Sequence, residues 1–364
     1  MTTLFSAGTI GAISVSNRVV MAPLTRARAD MEGLPSRYAA QYYAQRASAG
    51  LIITEATNIS KQARGYAYTP GIYTDAQIVA WREITEEVHR AGGKIVLQLW
   101  HTGRIAHSSL HDGKPPVAPS EIQAGDMVFT EDGAARPSMP RALELDEIPS
   151  IIDDYVLAAR HARAAGFDGV EVHAANAYLL DQFIRDSTNR RTDAYGGSVE
   201  NRTRLPFEVT KAVADVFGPD RVGVRLSPIT RAVGDTPLDS DPVGTYKRMA
   251  ERLGTLGLAY LHCVEGQTQG DNAATSFDFQ SLRRAFGGSY IANNSYDRTL
   301  AVEAVATGHA DMIAFGRPYI ANPDLVERLR AQAPMAAGDE KTFYGGGAAG
   351  YVDYPALDGV TAND

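Results

Sequence analysis

The sequence lacks the features that mark several broad classes of protein. Cys263 is the only cysteine among 364 residues, which excludes an intramolecular disulfide and a cysteine-based zinc site. Lys and Arg form no cluster and the net charge is −8, which argues against nucleic acid or an anionic membrane as a partner. No apolar run approaches the roughly 20 residues of a membrane span, and MTTLFSAGTIG at the N-terminus lacks the basic and then apolar pattern of a signal peptide. We therefore expect a cytoplasmic protein.

What the chain does contain is an alternation of Val- and Ile-rich runs with amphipathic segments. The runs predict strands at 19–23, 51–55, 94–99, 169–173, 221–226, 259–264, 289–292 and 312–315. The amphipathic segments predict helices at 35–49, 75–91, 148–165, 198–217, 242–254, 277–285, 297–307 and 323–333. Strand–helix alternation predicts an α/β protein with a parallel sheet. Eight repeats favour closure into one (β/α)8 TIM barrel domain at 1–364 over an open doubly wound sheet.

One segment interrupts this alternation. Residues 101–145 follow the third strand and contain scattered Gly and Pro with no helical period. They are too long for an ordinary connection, so we interpret them as a functional excursion such as a lid or a small hairpin.

The C-terminal tail at 339–364 also lies outside the repeats. It carries Tyr344 and a glycine-rich run, so we expect it to fold back against a site. The glycines at 345, 347 and 350 fit the spacing GxGxxG. The dinucleotide motif of that spacing needs a preceding strand and a helix that opens within it, and neither is predicted here. We therefore reject a dinucleotide site in the tail.

The fourth predicted strand ends in a cluster of polar side chains. Alternate residues of a strand face opposite sides, so His173 shares a face with Glu171. Asn176 breaks the alternation and lies just past the strand, where the chain turns, and Tyr178 follows. Two hydrogen-bond donors beside a phenol suit the binding and protonation of an oxygen-bearing substrate. A polar strand end with a structural histidine is the alternative.

The ends of the other strands test this hypothesis, because the active site of a (β/α)8 barrel lies at the C-terminal ends of its strands. Nearly every predicted end supplies a hydrogen-bonding group. The loops after strands seven and eight commonly bind phosphate in such barrels. Asn293 and Asn294 precede a helix there, Gly316 allows close backbone approach, and Arg317 can bind phosphate with two hydrogen bonds. A phosphorylated ligand is therefore expected.

Three further residues at strand ends indicate which other groups this ligand carries. Thr25 and Gln98 could reach a polar ring edge, and Arg225 is available for a second anionic centre. The sequence thus predicts a phosphorylated molecule that carries a polar ring.

Five motifs of the chain resemble the old yellow enzyme family, and in particular its bacterial N-ethylmaleimide reductase-like members. They are MAPLTRAR at 21–28, QLWHTGR at 98–104, HAANAYLLDQF at 173–183, RTDAYGGSVENRTRL at 191–205 and GRPYIANPDL at 316–325. The likeness extends from about residue 4 to residue 357. It implies a (β/α)8 barrel that binds FMN and acts as an ene-reductase of the NADPH dehydrogenase type, with NADPH or NADH as the reductant.

The resemblance also implies the residues that hold FMN. By position, Thr25 would bond to the C4 carbonyl of the flavin, Gln98 would bind its pyrimidine edge, and Arg225 would lie beside N1 and the C2 oxygen. The remaining implied contacts are Pro23, Leu24 and Ala56 along the ring and Asn293, Asn294, Gly316 and Arg317 at the phosphate.

The implied reaction is ping-pong: NAD(P)H reduces FMN and leaves, and an α,β-unsaturated carbonyl or nitro compound takes its place. His173 and Asn176 would donate hydrogen bonds to the oxygen of this small activated alkene, and Tyr178 would protonate the α-carbon. The resemblance places four more residues at the substrate cavity, where a packing role is an equal alternative: Trp100, Tyr66, Gln267 and Tyr344.

Two other functions compete with this interpretation. A metal-dependent barrel hydrolase needs His, Asp or Glu residues that converge from several strand ends, but His101, His107 and His111 share one irregular segment, so no metal is expected. A non-catalytic protein that binds a flavin or another phosphorylated ligand would have no need of Tyr178. The sequence leaves open whether the protein is a monomer or a homodimer.

Overall fold

The computed structural model describes residues 2–231, 235–266 and 277–357. Within these ranges eight parallel strands form the barrel: β1 Val19–Met21, β2 Leu51–Ile53, β3 Ile95–Trp100, β4 Gly169–Ala174, β5 Val222–Leu226, β6 Tyr260–Val264, β7 Tyr290–Asn293 and β8 Met312–Phe315. The last strand pairs with the first, with Phe315 opposite Met21, while β4 pairs with both β3 and β5. The sheet is therefore closed. The predicted (β/α)8 barrel is confirmed, and the open doubly wound sheet is excluded.

A helix follows each barrel strand and packs on the outside of the barrel. These helices are α1 Ala39–Ala44, α2 Asp75–Arg90, α3 Ile148–Ala164, α4 Arg204–Phe217, α5 Pro242–Gly254, α6 Phe279–Phe286, α7 Arg298–Ala306 and α8 Leu325–Ala331. The segment predicted as one helix at 198–217 is divided at Thr203, so that Val199–Arg202 forms a separate turn. None of the described helices is both long and apolar enough to cross a membrane.

Several short elements were not predicted, because each is too short to show a periodic pattern. The helices Leu179–Ile184 and Pro318–Ala321 follow β4 and β8, and Thr57–Asn58 pairs with β3. Single 3₁₀ turns occur at Ser108–His111, Leu145–Glu147, Pro219–Arg221 and Glu340–Thr342. Within 101–145, where a lid or a small hairpin was expected, Val128–Thr130 forms an antiparallel hairpin with Gly133–Ala135, and Val117–Ala118 pairs with Arg141–Ala142.

An N-terminal hairpin of Gly8–Ile10 and Ile13–Val15 closes the barrel at the ends where its strands begin. Its turn contains Gly11 at φ 58, where a Cβ would lie 2.1 Å from the carbonyl oxygen of Asp220. Only glycine fits such a close approach. The hairpin was not predicted, and its apolar side chains complete the core at this end of the barrel.

The interior of the barrel changes from apolar to polar along its axis. Val96 and Tyr260 belong to the apolar cluster that the N-terminal hairpin covers. Two residues further along the same strands, and so on the same face, lie Gln98 and His262. Both of these polar side chains are buried. The polar layer therefore lies at the C-terminal ends of the strands, where barrel enzymes carry their active sites.

Candidate active site

Two adjoining cavities open at the C-terminal ends of the strands. The smaller has a volume of about 480 Å³ and the larger about 760 Å³. Thr25, Tyr178 and Tyr344 line both cavities, so the two form one continuous site.

The smaller cavity gathers most of the residues predicted to bind the cofactor. Those that line it are Pro23, Leu24, Thr25, Arg225, Asn293, Asn294, Gly316 and Arg317, and Asn176 joins them. The other two predicted cofactor residues, Ala56 and Gln98, are buried after β2 and within β3. The Gln98 amide donates from Nε2 to Glu171 Oε1 over 2.7 Å.

Arg225 brings a buried cation to this cavity from β5. Its Nη2 donates to Asn293 Oδ1 over 2.7 Å, and Asn293 in turn donates from Nδ2 to the carbonyl of Ala314. The buried Nε of Arg225 has no hydrogen-bond partner. Burial lowers the pKa of Arg225, and the Glu171 carboxylate opposes this effect. Because guanidinium remains protonated in proteins, Arg225 presents a positive charge and an open donor to a bound group.

The loop after β7 has an unusual backbone where it lines the cavity. Asn294 and Ser295 have φ values of 108° and 57°, in the left-handed region that favours glycine. Strain of this kind concentrates at functional sites, and turns of this type direct successive N–H groups toward an anion. The loop lies beside Gly316 and Arg317 in the wall of the cavity.

The larger cavity is lined partly by the excursion at 101–145 and partly by the tail. Of the residues predicted to contact substrate, Tyr66, Tyr178 and Tyr344 line it. Asp126, Met127, Phe129 and Thr130 from the hairpin region form another part of its wall. Gln267 lies outside the described residues.

An aromatic cluster connects these residues to β3 and β4. The ring of Trp100 stacks on Tyr66 with centroids 5.8 Å apart and meets Tyr178 edge-on at 4.8 Å. The ring of His173 meets Tyr178 edge-on at 5.1 Å. Trp100 is itself buried, so it supports the wall of the site from behind.

His173 is held as a neutral hydrogen-bond donor. Burial and the nearby charge of Arg225 lower its pKa well below the ordinary value, with a smaller contribution from His262. Its Nδ1 accepts a hydrogen bond from the backbone N–H of Ala175 over 3.3 Å. Since Nδ1 is the acceptor, the single proton of the neutral ring lies on Nε2.

Asn176 lies just past β4, as predicted, in a turn that the sequence pattern did not reveal. Asn176 and Ala177 have φ values of 56° and 62°, so two consecutive residues are left-handed. The Ser227 hydroxyl accepts from the Asn176 N–H over 2.7 Å, and Asp181 Oδ2 accepts from the Ala177 N–H over 2.8 Å. Asp181 is fully buried and forms an ion pair with Arg185. The Oδ1 atom of Asn176 is buried without a hydrogen-bond partner.

Tyr178 is a protonated phenol at neutral pH. Burial raises its pKa to about 12, a hydrogen bond with Tyr66 opposes this rise, and Tyr344 adds to it. The phenol therefore has a proton to donate, and it lines both cavities.

The tail is fixed to the loop after β1 by two arginines that sequence reasoning did not assign. Arg26 donates from Nε to the carbonyl of Phe343 over 2.9 Å and from Nη2 to that of Gly350 over 2.8 Å. Arg28 donates from Nη2 to the carbonyl of Thr342 over 2.8 Å. These bonds hold the segment that carries Tyr344 to the cavities. Only the motif MAPLTRAR pointed to this loop, and nothing in it indicated a contact with the tail.

Comparison with known proteins decides the family. The sequence profile of the NADH:flavin oxidoreductase / NADH oxidase family matches residues 3–335. The chain belongs to this family. It is 44% identical over 357 residues to 12-oxophytodienoate reductase 1 of Oryza sativa subsp. japonica, covering 96% of this chain and 92% of that protein. It is 41% identical over 362 residues to 12-oxophytodienoate reductase 2 of Arabidopsis thaliana, covering 96% and 94%.

Solved structures agree with this assignment. Morphinone reductase in complex with tetrahydroNAD is 50% identical, with a TM-score of 0.93 and coverage of 99% of both chains. The old yellow enzyme homologue of Zymomonas mobilis is 47% identical, with a TM-score of 0.94 and coverage of 98% of this chain and 100% of that one. The resemblance to the old yellow enzyme family is confirmed. The protein is an FMN-dependent oxidoreductase that reduces activated C=C bonds with NAD(P)H.

The residues of the smaller cavity fit FMN. The open Nε of Arg225 and the buried Gln98 amide suit the polar edge of the isoalloxazine ring. The left-handed loop at Asn294 and Ser295, with Arg317, suits its phosphate. Among the described residues no group of three or more His, Cys, Asp or Glu side chains could hold a metal ion.

Proposed function

We propose that this old yellow enzyme reduces α,β-unsaturated carbonyl and nitro compounds in a ping-pong sequence in which nicotinamide and alkene occupy the same cavity in turn. Thr25, Tyr178 and Tyr344 border both cavities, which supports one shared binding place beside the cofactor. The related morphinone reductase binds tetrahydroNAD in its solved complex. When bound, FMN carries the reducing equivalents between the two substrates.

The observation that carries this proposal is the donor pair at the end of β4. His173 presents a proton on Nε2 because its Nδ1 is already an acceptor. Ser227 and Asp181 hold the turn of positive φ at Asn176 and Ala177, and the donor that the Asn176 amide offers is its Nδ2. An oxygen bound between these two side chains would receive hydrogen bonds where negative charge develops during the reaction. Removing one such donor typically costs about 10²–10³ in kcat.

Tyr178 would supply the proton that completes the reduction at the α-carbon. Its pKa of about 12 keeps the phenol protonated throughout the neutral range. Its ring lies 5.1 Å from that of His173, so the proposed acid lies beside one of the two proposed oxygen-binding groups. His173 is unsuited to the acid role, because burial and Arg225 keep its imidazole neutral.

We further propose one domain at 1–364, in which the excursion at 101–145 and the tail, as far as it is described at 339–357, cover the substrate cavity. Residues 358–364 of the predicted tail lie outside the described residues. Met127 and Phe129 reach the cavity from the excursion, and Tyr344 reaches it from the tail. Such covers exclude water and strengthen the electrostatic interactions within the site. On this proposal Trp100, Tyr66 and Tyr344 shape the space for the alkene.

The test replaces the Asn176 amide with an alkyl group of similar size. In Asn176→Leu we expect kcat/KM for 2-cyclohexenone and for a nitroalkene to fall by about 10²–10³, because one donor to the substrate oxygen is lost. The rate of flavin bleaching by NAD(P)H should fall much less, because nicotinamide shares the cavity but develops no negative charge on its amide oxygen when it gives up hydride. Parallel assays with NADPH and NADH then assign the dehydrogenase type.

A matched control makes the same kind of replacement at an exposed position, Gln62→Leu. This variant should retain the parent kcat/KM. Equal kcat/KM in Asn176→Leu and the parent protein would refute the role of Asn176.

A further inference from the structure

A buried carboxylate that lines neither of the two cavities lies beside the residues proposed to bind the cofactor. Glu171 on β4 is fully buried and accepts hydrogen bonds from side chains on β3 and β6. Gln98 Nε2 donates to its Oε1 over 2.7 Å, and His262 Nδ1 lies 2.9 Å from its Oε2. Glu171 stands directly opposite Gln98 in the register of β4 and β3. The carboxylate thus connects β3, β4 and β6 at the layer where the barrel interior becomes polar.

Hydrogen-bond chemistry fixes the orientation of each partner. An ionised carboxylate accepts hydrogen bonds and donates none. The NH₂ end of the Gln98 amide must therefore face Glu171, which directs its carbonyl oxygen away from Glu171. By the same reasoning the proton of His262 lies on Nδ1, and its buried Nε2 has no partner. Glu171 consequently determines which end of the Gln98 amide a neighbouring ligand meets.

The charge of Glu171 also acts on Arg225. Burial tends to raise the pKa of Glu171, but His262, Arg225 and Gln98 together lower it below its ordinary value, so the group is a carboxylate at neutral pH. Burial lowers the pKa of His262, which keeps that ring neutral. The cation of Arg225 and the anion of Glu171 therefore offset each other beneath one edge of the cofactor site.

We propose that Glu171 is a positioning residue that sets the reduction potential of FMN, by fixing the Gln98 amide and by offsetting the charge of Arg225. The inference rests on the proposed contacts of Gln98 and Arg225 with the pyrimidine edge of the flavin. Reduction places negative charge at that edge, and nearby protein charge tunes the potential. A buried anion there makes FMN harder to reduce.

The experiment measures the midpoint potential of the FMN holoenzyme against a reference dye. Glu171→Gln removes the anion and frees the Gln98 amide to reverse. We expect the equilibrium constant for two-electron reduction to rise at least tenfold, which corresponds to about 30 mV. The dissociation constant of FMN, measured by recovery of flavin fluorescence, should also increase. An unchanged potential in a variant that binds FMN would overturn the proposal and leave the proposed function intact.

Two further variants separate charge from packing. Glu171→Asp keeps the anion. Its midpoint potential should therefore differ less from that of the parent protein than the midpoint potential of Glu171→Gln differs, even if FMN binds more weakly. The double variant Gln98→Glu, Glu171→Gln keeps one carboxylate and one amide but moves the negative charge from position 171 to position 98, at the proposed flavin edge. Its potential should fall below that of the parent protein. A potential equal to or above the parent value would overturn the proposal even if Glu171→Gln fails to fold.

The control is Asp324→Asn on the outer layer. Asp324 forms an ion pair with Arg328 over 2.7 Å at the start of α8, so the substitution removes the same charge outside the barrel interior. Its midpoint potential should equal that of the parent protein. A shift as large as that of Glu171→Gln would mean that net charge alone sets the potential, and would refute a local role. Failure of the parent protein to bind FMN would instead refute the proposed function.

Discussion

Replacing Tyr178 with Phe removes one oxygen atom and separates the two halves of the proposed reaction. The pKa of Tyr178 is raised to about 12, five units above pH 7, so about one phenol in 10⁵ is ionised and nearly every molecule carries the proton. General acid catalysis is typically worth about 10²–10⁴ in rate. At about 1.36 kcal/mol per factor of ten, its loss raises the barrier by about 3–5 kcal/mol. We therefore expect reoxidation of the reduced enzyme by 2-cyclohexenone to slow by about 10²–10⁴.

The assay is anaerobic stopped-flow spectroscopy of the flavin absorbance, with each half-reaction followed separately. Bleaching by NAD(P)H should be unaffected in Tyr178→Phe, because the phenol acts on the alkene. Tyr66→Phe is the matched control, because it removes the hydrogen-bond partner of Tyr178 but leaves the acid. A net hydrogen bond is worth about 1 kcal/mol, so this control should slow reoxidation about fivefold. Parent-like reoxidation in Tyr178→Phe would refute the acid assignment, with solvent as the remaining proton source.

Two further predictions concern buried carboxylates that support the loops around the site. Burial raises the pKa of Glu55 to about 7. The folded protein therefore keeps a proton on Glu55 between about pH 4.5 and 7, where the unfolded chain has released it. The free energy of unfolding should fall by up to about 3 kcal/mol as pH rises through this range. Urea unfolding between pH 5 and 7.5 should show this slope in the parent protein and lose it in Glu55→Gln, and an equal slope in both would contradict the assignment. Asp181→Asn leaves Arg185 buried without its ion-pair partner, which should cost about 3–5 kcal/mol in urea unfolding. It should also raise KM for 2-cyclohexenone, because the turn at Asn176 loses its anchor, and unchanged stability and KM would refute this role.

The barrel itself could be predicted because each of its strands is a short, buried, Val- and Ile-rich run followed by an amphipathic helix. Parallel strands buried on both sides read as nearly continuous apolar runs, which distinguishes them in the sequence. Because the C-terminal ends of parallel barrel strands lie at the same end of the barrel, this pattern also predicted that His173, Arg225 and Arg317 lie near one another. The N-terminal hairpin was missed since its three-residue strands are too short to show a period.

Contacts between distant parts of the chain could not be predicted from local patterns. Glu171 and His262 are 91 residues apart, and Arg26 meets the tail more than 300 residues later. Alternation placed Glu171 on the face of His173, but nothing in the sequence indicated that His262 and Gln98 would meet it. The turn at Asn176 likewise depends on Ser227, which belongs to the next strand end. These contacts depend on the three-dimensional arrangement of the strands, which a local pattern does not contain.

The visible absorption spectrum of the purified protein tests the central claim most directly. Oxidised flavin bands should be present, should bleach on anaerobic addition of NADPH or NADH, and should return when 2-cyclohexenone is added. Bands that bleach and do not return would contradict the proposed enone substrate. A colourless protein that FMN fails to reconstitute would contradict the account of the cofactor site itself.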